Sequence, residues 1–172
     1  MKSGMSWNRR QFNSWMWWFR LPDDIYIKSL EPCHAQLVYD HWPHKYASSF
    51  KVSVENIVDL PSAGVFLKDG DRLVAWAVCF PPIGISRFHT LDEFRCRGYG
   101  SYVIKYLSKR MAQAGFCPYG GIYGGNEPSV RCFTNVGYTM TSSAEPVNLI
   151  SAQHHSDFEH DWPNPCCQHN VC

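Results

Sequence analysis

No apolar run of about 18 residues occurs in the 172-residue chain, so no helical membrane span is expected. Charge of one sign is lacking too. The formal net charge is +1, which excludes the strong field that nucleic acid or an anionic membrane surface would attract. The N-terminus has neither an uninterrupted apolar stretch nor a clear cleavage site, so no secretory signal is expected. No Walker A sequence, no internal repeat and no paired C-x2-C with H-x3-H spacing appear, which argues against an NTP-binding loop, a solenoid and a structural zinc site. The length suits one domain with tails and suffices to bury a core.

Cysteine is plentiful but unpaired in pattern. Cys33, Cys79, Cys96, Cys117 and Cys132 stand singly, while Cys166, Cys167 and Cys172 crowd the end. Dense bridging belongs to short secreted chains, so the body cysteines are expected to be reduced and mostly buried. Cys79, Cys96 and Cys132 have no adjacent histidine to activate them as acyl-carrying nucleophiles.

Composition divides the chain into three. Residues 1–20 carry Trp7, Trp15, Trp17 and Trp18 with Lys2, Arg9, Arg10 and Arg20, and no acid precedes Asp23. This is an aromatic, basic extension. It leaves a mitochondrial leader as the alternative to a cytoplasmic protein. Residues 21–150 show regular patterning. Residues 151–172, with His154, His155, His160 and His169 among the last cysteines, read as a flexible tail without a metal site.

Within 21–150 the pattern predicts a strand over 24–30, a helix over 31–42 and a second helix over 53–60 with Ser53 as its N-cap. Two apolar runs around Lys68–Asp71 predict a hairpin over 63–80. A strand follows over 84–91. The strongest helix covers 99–114, where Val103, Ile104, Leu107 and Met111 form one stripe and Gly115 is placed to end it. A Gly-rich strand over 118–125, a helix over 128–136 and a closing strand over 138–143 complete the series.

The stretch "RCRGYGSYVIKYL" (95–107) sits between a predicted strand and the strongest helix. Helix N-termini present unpaired amides and the positive end of the macrodipole, and so attract phosphate. Gly98 and Gly100 let backbone approach an anion, and Arg95 and Arg97 supply guanidinium groups that grip phosphate oxygens. Val103 occupies the place of the third glycine of a dinucleotide fingerprint, so that motif is excluded. What remains is [RQ]-x-x-G-x-[GA], a moderate signal alone, since arginine-bearing tight turns are common.

Its context strengthens it. "HTLDEFRCRGYGS" together with "GNEPSVRCFTNVGY" resembles the coenzyme A loop and the following Asn-led helix of the GNAT acyltransferase superfamily. "TLDEFRCRGYGSYVIKYL", "HWPHKY" and "LVAWAVCF" are similar to the glycine N-acyltransferase branch. Members of that branch usually carry a further N-terminal half. The resemblance spans about residues 24–145. It implies an α+β GNAT fold: a mixed, mostly antiparallel twisted sheet with flanking helices, splayed between the fourth and fifth strands.

It also implies a chemistry: acyl transfer from acyl-CoA or acetyl-CoA, as co-substrate and without a metal, to a small-molecule amine such as an amino acid. The diphosphate would lie on the backbone of Cys96 to Ser101, including Tyr99. The pantetheine would pair with the backbone of Phe88, His89 and Thr90, near Asn126. Gly120, Gly121, Gly124 and Gly125 would let it approach the fifth strand. An amide near Phe88 would polarise the thioester. The family's basic Glu, eleven residues before the loop's first Arg, falls on Gly84, and the thiolate-protonating Tyr falls on Phe133. Strand parity puts Gly84, Ser86, Phe88 and Thr90 on one face, which makes Ser86 the candidate to relay a proton through water and sends His89 to the other face. Asp92 and Glu93 read as a solvated edge. The acceptor is expected near Trp42, Tyr46 and the closing strand. The rival readings are a CoA-binding module with weak or no catalysis and a protein-directed N-acetyltransferase.

Overall fold

Alternation along one strand organises the molecule. In β3 (Leu73–Phe80), Ala75, Ala77 and Cys79 face one way while Trp76 and Val78 face the other, and all are buried. A strand with two apolar faces must be covered on both sides. The computed structural model describes residues 20–45, 49–80, 84–114, 118–144 and 147–152. It shows that cover.

Seven strands form one sheet. Besides β3 they are β1 (Ile25–Lys28), β2 (Ser62–Leu67), β4 (Gly84–Thr90), β5 (Tyr119–Tyr123), β6 (Tyr138–Ala144) and β7 (Val147–Ala152), in the order β1-β2-β3-β4-β5-β7-β6. Every neighbouring pair is antiparallel except β4 with β5. The helices are α1 (Ala35–Asp40), preceded by a 3-10 turn at Pro32–His34, then α2 (Ser49–Asp59), α3 (Tyr99–Gln113) and α4 (Glu127–Thr134). The expected α+β architecture is present.

On one face α3 lays Val103, Ile104, Leu107 and Met111 over Val65, Ala75, Ala77 and Ile85. On the other, Ala35 and Val38 of α1 and Ile57 of α2 close over Phe66, Trp76 and Val78. Trp76 is completely buried, and truncating a side chain of that size costs ~3–5 kcal/mol.

Four expectations change. The helix predicted over 53–60 begins by Ser49, so Ser53 is not its cap; it is buried and accepts a hydrogen bond from Arg87 Nη1. The closing strand is followed by β7, which inserts between β5 and β6 and runs past the boundary expected at residue 150. Gly124 and Gly125 form the turn after β5 rather than part of it. The body cysteines are not mostly buried: Cys79 is buried and Cys132 partly so, but Cys33 and Cys96 are exposed. Residues 1–19 of the extension, the tail beyond residue 152, Tyr46, Gly115 and Cys117 lie outside the described residues.

Candidate functional site

The sheet opens where its two parallel strands run side by side. β4 and β5 pair only at their starts, through Gly84 and Ile85 with Gly120. Beyond Ile85 the edge of β4 that faces β5 has no strand partner in the register, while β5 stays paired with β7 along its length. The expected splay is therefore present, and it widens toward the carboxyl ends of both strands. Ligands of open sheets bind at such ends.

Each strand leads through a turn into a helix N-terminus. After β4 the chain makes a 3-10 turn at Asp92–Phe94 and enters α3 at Gly98. Gly98 has φ +79°, and a Cβ there would meet nothing within 4 Å, so this left-handed cap stands open. No side chain caps α3, which leaves the first amides of the helix for an anion. Gly100 answers a different need. A Cβ there would lie 2.8 Å from Phe88 Cζ and 3.1 Å from Cys132 Sγ, so its bare Cα makes room for the Phe88 ring.

The loop side chains are arranged around this cap. Arg95 pairs with Asp92 at 2.7 Å and its Nε donates to the Thr90 carbonyl at 3.3 Å. Arg97 Nη2 donates to the Glu93 carbonyl at 3.2 Å, with the guanidinium 5.2 Å from the Phe94 ring centre. Both arginines are exposed and folded back on the preceding turn. Exposed ion pairs of this kind contribute ~0–1 kcal/mol, so little holds the guanidinium groups there when phosphate competes. Glu93 pairs with Arg72 at the surface, so Asp92 and Glu93 form the solvated edge. Cys96 is exposed with φ +60°. The Tyr99 side chain is buried in the core, so only its backbone faces the loop. Ser101 Oγ lies 3.9 Å from Cys132 Sγ.

After β5, Asn126 caps α4: its Oδ1 accepts from the Ser129 amide at 3.3 Å. That leaves the amide NH2 as donor, at the rim of two adjoining cavities. The first, about 80 Å³, is lined by Trp42, Ser86, Arg87, Phe88, Tyr123 and Asn126, among others. The second, about 310 Å³, adds His41, His44 and His89. Trp42 borders both, and its buried Nε1 has no hydrogen-bond partner among the described residues. Arg87 is buried, with its guanidinium 5.4 Å from the Trp42 ring centre.

A bulge in β4 overturns the expected parity. Val78 pairs with Ser86 and Trp76 with His89. Two steps along β3 thus match three along β4, and Arg87 takes up the extra residue at φ +50°. Ser86 and His89 therefore share the face that α1 and α2 cover. Phe88 turns to the other face, where its ring meets Phe133 edge-on at 5.7 Å. His89 is half-buried between Trp76, 5.1 Å away, and His41, 4.8 Å away. Burial, reinforced by the charges of His41 and Arg95 and opposed by Asp92, holds its imidazole down at about 4.

The remaining expectations also find their places. Ser86 is buried in the cavity wall. Phe133 is core and packs against Tyr138. Burial pushes the Cys79 and Cys132 thiols up, away from nucleophilic use. Sequence reasoning missed His41, His44, Arg87 and Tyr123. "HWPHKY" was the available signal for the two histidines; nothing local marked the bulge.

The residues present fit a CoA-type ligand. They offer an open helix N-terminus, an unpaired strand edge and a cavity between them. The FR47-like protein family matches residues 62–147, half of the 172-residue chain. No curated protein sequence matches the chain. Among solved structures, a Drosophila protein superposes with TM-score 0.66 at 24% identity, over 78% of this chain and 44% of that one. The present chain thus spans less than half the length of that relative. A Salmonella typhimurium protein, YncA, described as a putative acetyltransferase with acetyl-CoA, superposes with TM-score 0.61 at 12% identity over 84% of this chain and 100% of that one. The PaiA N-acetyltransferase of Thermoplasma acidophilum, in complex with coenzyme A, gives 0.57 at 12% identity over 76% and 99%. The chain has the GNAT fold of these structures, and by the family that covers half its length it belongs to the FR47-like proteins.

Proposed function

We propose that the protein is an acyl-CoA-dependent N-acyltransferase acting on a small amine that bears a carboxylate, such as glycine or another amino acid, in the manner of the glycine N-acyltransferase branch. The observation that carries this reading is the make-up of the cavity beside the β4–β5 splay. Its described lining holds Arg87, His41, His44, His89, the amide of Asn126 and the orphaned indole N–H of Trp42, and no aspartate or glutamate. Such a wall attracts a carboxylate and offers nothing to a second ammonium, which disfavours polyamines and lysine-rich peptides.

In this reading acyl-CoA is a substrate, held with its diphosphate on the amides from Cys96 to Ser101. Arg95 and Arg97 swing over it, and the pantetheine runs along the free edge of β4 near Asn126. In this reading the amide of Phe88, next to the bulge at Arg87, polarises the thioester carbonyl. The relatives solved with CoA or acetyl-CoA support the co-substrate.

The test is thiol release from acetyl-CoA and longer acyl-CoAs with amino acids, polyamines and lysine peptides as acceptors. Amino acids should be acylated, and esterifying the acceptor carboxylate should lower kcat/KM at least tenfold. Preference for peptides would make the protein a protein-directed enzyme. Tight CoA binding without turnover on any acceptor would make it a binding module, the reading that Gly84 and Phe133 favour because neither offers an acid or base.

A further inference from the structure

An amine that titrates at about 7.7–10.4 is largely protonated at neutral pH and must lose a proton before it can attack a carbonyl carbon. The family position for the base is closed here: Gly84 has φ +77°, and a Cβ on it would lie 2.3 Å from the Tyr119 carbonyl oxygen. The proton must go elsewhere. Among the described cavity residues, Ser86 has no basic lone pair suited to neutral pH, which leaves three histidines.

Their settings differ. His44 lies over Tyr123, ring centres 4.0 Å apart, at the exposed lip. His89 is wedged between Trp76 and His41, where burial makes it a poor proton acceptor. His41, at the carboxyl end of α1, is exposed to the cavity and edge-on to Trp76 at 5.3 Å. Its Nδ1 donates to the Leu37 carbonyl at 2.9 Å. That bond fixes the neutral tautomer with the proton on Nδ1 and leaves the Nε2 lone pair to accept another.

We propose that His41 is the general base of the acyl transfer and that His89 is its positioning residue, packing the His41 ring against the cavity wall. The inference rests on the N-acyltransferase reading above. In the step, Nε2 of His41 takes one proton from the acceptor ammonium. The freed nitrogen lone pair forms the C–N bond as the C–S bond breaks, and the electron pair of that bond leaves on sulfur. The second N–H proton passes to the thiolate, giving amide and CoA thiol, and His41 returns its proton to solvent. The titratable and charged groups around His41 are Arg87 and His89 of β4, His44 of its own segment and Tyr123 of β5, with Asp92 and Arg95 acting on His89.

The experiment compares full-length wild type, His41→Gln, His41→Ala and His89→Gln. It uses acetyl-CoA with whichever amino acid the wild type acylates fastest, from pH 6 to 10, with CoA affinity measured in parallel as the check on folding. His41→Gln should lower kcat by about 10²–10³-fold at pH 7 with CoA affinity kept, and the deficit should shrink toward pH 10, where the amine deprotonates unaided. Added imidazole should partly rescue His41→Ala. His89→Gln should cost about tenfold without changing the shape of the pH profile. If His41→Gln follows the wild type at every pH, or if His89→Gln alone changes the profile, the assignment is wrong while the N-acyltransferase reading stands. If the wild type binds CoA but acylates no amine, both fail together.

Discussion

Gly84 and Tyr119 meet so closely that residue 84 has no room for a side chain: a Cβ there would lie 2.3 Å from the carbonyl oxygen of Tyr119. This contact fastens the narrow end of the splay, where β4 and β5 still pair. The position at which the resemblance to glycine N-acyltransferases would put a basic carboxylate is therefore closed by the backbone of β5.

Restoring that carboxylate should accordingly fail. Gly84→Glu combines a left-handed φ with a backbone clash and should lower stability by more than ~2 kcal/mol without raising turnover. Thermal melting with parallel thiol-release rates checks both halves. A stable variant with a higher rate would show that the strand can open here.

The two loop glycines should separate. Gly100→Ala drives a methyl into the Phe88 ring and Cys132, and should cost ~1–3 kcal/mol by overpacking. Gly98→Ala touches nothing within 4 Å but must keep φ +79°, which costs ~1–2 kcal/mol. Denaturation midpoints of the two variants, set beside their CoA affinities, show which glycine serves packing and which serves the ligand.

Arg95→Ala and Arg97→Ala should leave the melting temperature nearly unchanged, because their present partners are surface groups on the preceding turn. Each should weaken CoA binding by about tenfold at low salt, with a smaller loss at high salt. Calorimetric titration at two ionic strengths measures this.

His89 makes stability depend on pH. Its folded pKa, about 4, lies below the ordinary 6.5 because burial disfavours the imidazolium. The unfolded chain therefore binds the proton first as pH falls. Stability is complete above 6.5 and declines between 6.5 and 4. Because the ring is only half-buried, solvent screening reduces the loss to roughly 1–2 kcal/mol. Urea midpoints of wild type and His89→Gln across this window should converge as pH falls.

Local pattern in the sequence revealed the hairpin of β2 and β3, the apolar stripe of α3 and the glycine loop between β4 and α3, because each is specified by residues close together in the chain. The helix after β5 was legible from its own pattern, whereas its opening at Asn126, with Ser129 three residues on, was expected only from the family resemblance. What stayed hidden is set from a distance. β7 (Val147–Ala152) has little alternation of its own and is defined by pairing with β5 and β6. The bulge at Arg87 arises from where Trp76 and Val78 pair on the neighbouring strand, and it alone moved His89 to the face of Ser86. The histidines of the cavity come together because the chain leaving α1 lays His41 against Trp76 of β3 and His89 of β4, so no spacing in the sequence announces them.

If the mouth of the β4–β5 splay, at the N-terminus of α3, receives the diphosphate of acyl-CoA as proposed, calorimetric titration of the full chain with coenzyme A should show it. Wild type should bind, and Gly98→Val, while still melting cooperatively, should bind at least tenfold more weakly. No detectable heat with the wild type, or equal affinity in the two proteins, would contradict it.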